Sequence, residues 1–95
     1  MLVNVQYLGL VRNALGKNGE EIELNEGAYL SELFKTLADL YGESAKPFFN
    51  FDENNVLDPT FIVTVNGVLA TQLRGKKTKL RDGDNVVLMT IISGG

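Results

Sequence analysis

The chemistry open to this chain is narrow. It contains no cysteine and no histidine, the two residue types that supply most metal ligands, reactive thiols and neutral-pH general bases. Zinc fingers, iron–sulfur sites, disulfides, Cys-His proteases and Ser-His-Asp triads are excluded together. Carboxylates, lysines, hydroxyls and the backbone remain. The sequence closes on Ser93, Gly94 and Gly95, and a glycine carboxylate suits one task well: entering another protein's narrow active site. Glycine has no Cβ to shield the terminal carbonyl, and its φ is unrestricted. A carboxylate is a poor acyl donor until it is activated. Adenylation by a partner would supply the leaving group, and a sulfur source could then convert the acyl group to a thiocarboxylate. With no cysteine in the chain, any sulfur it carried would sit on that terminus.

Other candidate motifs fail on spacing. Gly75-Lys76-Lys77-Thr78 invites a phosphate-loop reading, but GxxxxGK[ST] needs Gly at 70 and Ser or Thr at 77, where Ala70 and Lys77 stand. Asp52, Asn54 and Asp58 hint at calcium, but the glycine and terminal glutamate of an EF-hand loop are out of register. Asp82 and Asp84 flank Gly83 and read as turn formers rather than paired catalytic carboxylates. No metal site is expected.

The terminal residues need a rigid platform, and the preceding strand supplies it. Asn85 to Ile92 is apolar on both faces, with Val86 and Leu88 on one and Val87, Met89 and Ile91 on the other. A strand covered by a helix on one side needs only one apolar face. The face of Val87, Met89 and Ile91 is therefore a candidate partner surface, with loop cover as the alternative. Residues 93–95 are expected to form a flexible tail on a domain spanning 1–92. At about 3.3 Å per residue, Ile92 to Gly95 reaches roughly 13 Å.

The remaining elements follow from periodicity. Val3, Val5 and Tyr7 alternate with polar residues and predict a strand. Leu10, Val11, Ala14 and Leu15 have helical spacing and stop at Gly16. Glu20 to Leu24 completes a first hairpin. Leu30, Leu33, Phe34, Leu37, Leu40 and Tyr41 form one helical stripe, with Gly42 as its left-handed cap. Residues 43–60 read as a long connection whose phenylalanines 48, 49 and 51 cover an edge of the core. Phe61 to Val65, the turn Asn66-Gly67 and Val68 to Ala70 predict a second hairpin. The order is β-β-α-β-β-β, an α+β fold.

Length and charge bound the rest. Ninety-five residues, 44% hydrophobic and 22% charged, describe one small globular domain. The net charge is −3, yet residues 59–95 hold five bases and two acids. All five bases fall in the run Arg74, Lys76, Lys77, Lys79 and Arg81. The run fits a solvated edge or a docking surface for an acidic protein partner, and Arg74, Lys76 and Lys77 join Val87, Met89, Ile91 and Ser93 as candidate partner-binding residues. Nucleic acid is not expected as a partner, because the chain is acidic overall and no aromatics interleave with the bases. Met1 to Val5 shows no signal-peptide pattern, and no apolar run approaches membrane-spanning length. A cytoplasmic protein without membrane contact is expected.

Val3-Asn4-Val5-Gln6-Tyr7, Arg12 to Gly16, Val63-Thr64-Val65-Asn66-Gly67, Leu80-Arg81-Asp82-Gly83-Asp84-Asn85-Val86 and Ser93-Gly94-Gly95 together resemble the ubiquitin-like sulfur-carrier family. The resemblance is closest to the small subunit of molybdopterin synthase. It implies a β-grasp fold, with the first and last strands parallel and central and one main helix packed on one face of a mixed sheet. It also implies a carrier rather than an enzyme. Gly95 would be adenylated by an ATP-using E1-like adenylyltransferase and thiocarboxylated, with Gly94 the slim approach to it. The tail would then enter the synthase large subunit, or an equivalent acceptor, and donate sulfur to a pterin precursor in molybdenum- or tungsten-cofactor synthesis. No cofactor is bound in this scheme, since the ATP belongs to the activating enzyme. A carrier for thiazole synthesis and a protein modifier joined through Gly95 to target lysines use related chemistry and stay as alternatives.

Overall fold

A computed structural model describes residues 1–44 and 61–90. In chain order these form β1 (Leu2–Leu8), α1 (Leu10–Leu15), β2 (Gly19–Glu23), α2 (Leu30–Tyr41), β3 (Phe61–Val65), β4 (Val68–Leu69) and β5 (Asn85–Thr90). The five strands make one mixed sheet in the order β2-β1-β5-β3-β4. β1 and β5 are parallel at its centre, and the β1–β2, β3–β5 and β3–β4 pairs are antiparallel. This is the β-grasp arrangement that the sequence resemblance implied. No helix among the described residues is long and apolar enough to cross a membrane.

The core lies between α2 and one face of the sheet. Alternation along β1 and β5 sends Val3, Val5, Tyr7, Val86 and Leu88 to that face, each at most 3% exposed. Leu30, Leu33, Phe34 and Leu37 meet them from α2, and the Phe34 and Phe61 rings pack edge to face, 6.1 Å between centroids. Each such side chain is worth about 1.5–3 kcal/mol of burial. The stripe is narrower than the spacing suggested, because Leu40 is 60% exposed. At 100° per residue it lies about 70° from the stripe's centre, in the last helical turn.

The turns follow from local chemistry. The Glu32 carboxylate accepts from the Tyr29 N–H at 3.1 Å, which satisfies one of the free donors before α2. Gly16 ends α1 in the left-handed conformation, its N–H donating to the Arg12 carbonyl at 2.9 Å. Gly42 differs from the expected left-handed cap. Its φ is 58° but its ψ is −124°, a conformation that glycine alone adopts readily, and the chain continues into a 3₁₀ turn, Gly42–Ser44. Asn66 and Gly67, at φ 52° and 85°, make the tight hairpin between β3 and β4.

Asp82 and Asp84 act as turn formers. Asp82 Oδ1 accepts from the Leu2 N–H at 2.7 Å, Asp84 Oδ2 from the Arg81 N–H at 2.8 Å, and Asp84 Oδ1 from Asn66 Nδ2 at 2.9 Å. These bonds pin the start of β5 to β1 and to the β3–β4 turn. Between β4 and β5 the chain makes two 3₁₀ turns, Ala70–Gln72 and Gly75–Lys77, which no periodicity in the sequence announces. Asp52, Asn54, Asp58 and the phenylalanines of the 43–60 connection lie outside the described residues, as do Ile91 and Ile92 of the expected last strand.

Candidate functional site

β5 is central in the sheet and runs directly into residues 91–95. Its second face, away from α2, is built by register. Leu8, Met89 and Ile62 line up across β1, β5 and β3. In the next row Gln6, Val87, Thr64 and Leu69 cross β1, β5, β3 and β4. Leu8, Met89, Ile62, Val87 and Thr64 are half-buried, and Leu69 is 37% exposed. Hydrophobic side chains from four strands thus share the face of the sheet opposite α2. Val86 and Leu88, one residue away along the same strand, are fully buried.

The structure brings some of the sequence candidates together and separates others. Val87 and Met89 share the open face. Arg74 and Lys77 do not join them. They sit beside the start of α2, exposed, with Tyr29 and Ser31. Lys76 stands between them in sequence but is only 8% exposed, because the 3₁₀ turn directs neighbouring side chains about 120° apart. Ile91, Ser93, Gly94 and Gly95 lie outside the described residues. Leu8 and Ile62 were missed, although parity with Tyr7 and Val63 marks both for the open face. Tyr29 and Ser31 are some 45 residues from Arg74, and no local signal links them.

Among the described residues, the perturbed titratable groups lie at neither surface. The Tyr7 hydroxyl donates to Glu20 Oε2 at 2.7 Å, the Tyr41 hydroxyl donates to the same oxygen, and Lys17 Nζ lies 3.4 Å from Glu20 Oε1. Lys17 also sits over the Tyr41 ring, 5.8 Å from its centroid. Burial, reinforced by the Glu20 carboxylate, pushes the Tyr7 hydroxyl far above the ordinary tyrosine range. Partial burial alone would raise Glu20, but the hydroxyls of Tyr41 and Tyr7, with Lys17 beside them, outweigh it and hold the carboxyl below its ordinary value. The cluster ties β1, β2 and the end of α2 together, and the hydrogen bonds among its members act as a structural tie.

A fold of this kind can present a terminal segment from a rigid central strand beside an apolar face. Comparison with known proteins agrees with that reading of the architecture. The ThiS family model matches residues 5–95, and the chain belongs to the ThiS family, ubiquitin-like carriers of sulfur.

Among solved structures, the chain is similar to a putative molybdopterin converting factor subunit 1 from Pyrococcus furiosus. Identity is 28%, the match covers 97% of this chain and 99% of that one, and the TM-score is 0.73. It is also similar to the small archaeal modifier protein 1 from Methanosarcina acetivorans, at 23% identity, 99% and 96% coverage and a TM-score of 0.77. A third match is to the Amycolatopsis orientalis BexX/CysO complex, at 20% identity, 98% and 99% coverage and a TM-score of 0.75. The last two likenesses show the fold alone. No curated protein matches.

Proposed function

We propose that this chain carries sulfur as a thiocarboxylate on Gly95 and delivers it to a pterin precursor in molybdenum- or tungsten-cofactor synthesis. The observation that carries the reading is the family match, which extends to residue 95. In the proposed cycle an E1-like enzyme joins the Gly95 carboxylate to the α-phosphorus of ATP and expels pyrophosphate. A sulfide-equivalent nucleophile then displaces AMP, leaving a C–S bond at the terminus. Gly94 has no side chain to obstruct the approach to Gly95. Leu8, Ile62, Val87 and Met89 form the face on which the activating enzyme and the sulfur acceptor dock.

The likeness to the Pyrococcus molybdopterin converting factor supports the pterin acceptor, and that of CysO, crystallised in a complex with BexX, supports docking onto a partner protein. The likeness to a small archaeal modifier favours a second reading, conjugation through Gly95 to target lysines.

Intact mass separates them. After incubation with an E1-like enzyme, ATP and a sulfur donor, the chain gains the mass of one oxygen replaced by sulfur, and the variant lacking Gly95 does not. Absence of that gain, together with lysine conjugates in cell extract, would replace the carrier reading with the modifier reading.

A further inference from the structure

A second surface lies on the helix side of the sheet. The 3₁₀ turn Gly75–Lys77 is closed by the Lys77 N–H to the Arg74 carbonyl and the Thr78 N–H to the Gly75 carbonyl, both 3.0 Å. The buried Thr78 hydroxyl accepts from the Arg74 N–H at 3.1 Å. This turn is clamped to the start of α2. The Leu30 N–H donates to the Thr78 carbonyl at 2.8 Å and the Leu80 N–H to the Ala28 carbonyl at 2.9 Å, around an isolated bridge between Tyr29 and Lys79. The clamp leaves an open groove of about 730 Å³ lined by Tyr29, Ser31, Arg74 and Lys77. A second groove of about 560 Å³ shares Tyr29, Arg74 and Lys77 and adds Leu73 and Lys79.

Among the described residues, no acidic side chain lines either groove. Arg74, Lys77 and Lys79 are exposed and form no ion pair among the described residues. Between these cations stand two exposed apolar side chains, Tyr29 at 47% and Leu73 at 42%.

We propose that this double groove binds an acidic segment of a partner protein, a short run of Asp and Glu carrying an apolar or aromatic side chain. Charge selects the class of ligand. Three cations with no ion pair among the described residues favour carboxylates, while the net charge of −3 on the whole chain repels a long polyanion and so disfavours nucleic acid or a membrane surface. Shape selects a peptide over a small anion. The cations are spread along two adjoining open grooves, and the buried Thr78 hydroxyl at the second one already accepts from the Arg74 N–H. Tyr29 and Leu73 supply the apolar contact that a small anion would leave unused. Backbone hydrogen bonds hold the turn in place before any ligand arrives, which lowers the ordering cost of binding.

The proposal rests on the carrier reading only for the existence of a partner protein. It makes that partner grip the carrier at two places, an apolar face around Met89 and a basic groove on the opposite side of the sheet.

The test is a titration of the ¹⁵N-labelled full chain with the synthetic peptide Glu-Asp-Leu-Glu-Asp-Phe-Glu. Its neutral counterpart, with Gln and Asn replacing the acids, and ATP and a single-stranded oligodeoxynucleotide serve as controls. The expected result is amide shifts at residues 29–31 and 72–79, with those of Val87 and Met89 unmoved. Binding should weaken with salt, and by about tenfold or more in the double variant Arg74→Glu, Lys77→Glu, whose own spectrum reports that it is folded. Absence of binding, equal binding of the neutral peptide, shifts centred on Met89, or tighter binding of ATP or the oligonucleotide at these residues each overturns the proposal. No activating enzyme is present, so this outcome is read independently of thiocarboxylate formation.

Discussion

The two faces of β5 carry the same class of side chain and meet different environments. Val86 and Leu88 are fully buried against α2, whereas Val87 and Met89 remain half-buried beside Leu8 and Ile62. Hydrophobicity is therefore used twice in one strand, once to close the core and once to leave an apolar surface at the root of the residue 91–95 segment. Burial stabilises the fold in the first case. In the second, the area is still available, and a partner that covers it gains the same free energy per unit surface.

Substitutions break or sharpen this contrast in order of size. Leu88→Ala removes a fully buried side chain and is expected to destabilise the chain by about 2–5 kcal/mol, read as a lower urea midpoint. A loss no greater than that of an open-face substitution would show that the faces are reversed.

Glu20→Ala, at the edge of the helix-covered face, leaves the Tyr7 and Tyr41 hydroxyls without their shared acceptor and is expected to cost about 1–2 kcal/mol. The folded state depresses the Glu20 carboxyl below its ordinary 4.5, so its contribution is complete above that value and disappears as the pH falls through the lower folded value. Urea midpoints of the two proteins should differ at neutral pH and converge as the carboxyl protonates. A gap that persists in acid would assign the loss to packing.

The smallest change in stability belongs to Met89→Asp, under about 1 kcal/mol, yet this variant should form thiocarboxylate poorly with its activating enzyme at limiting concentration. A melting loss as large as that of Leu88→Ala, or unchanged transfer, would remove the open face from the docking surface.

Much of the fold was legible because its signals are local. The alternation of Val3, Val5 and Tyr7, the stripe Leu30, Leu33, Phe34 and Leu37, and the Asn66-Gly67 turn each report a backbone conformation within a few residues. Leu40 and Gly42 mark where local reading fails. Helical spacing continues to Leu40, but only the tertiary structure decides where the covering core ends, and a glycine after a helix signals a positive φ without specifying its ψ. The open face was legible in half, through Val87 and Met89. Leu8 and Ile62 required the pairing of β1 and β3 with β5.

By itself, then, the sequence determined that the chain has no thiol or imidazole chemistry, that its five strands and main helix run β-β-α-β-β-β, and that β5 is apolar on both sides. Those properties depend on composition and short-range period. Tertiary structure alone decided which side of β5 α2 covers, that Lys76 turns inward while Arg74 and Lys77 face Tyr29 and Ser31, and that Glu20 joins Tyr7 and Tyr41. Each of these is a meeting of residues far apart in the chain, set by how the sheet and helix close over a single core rather than by any neighbour in sequence.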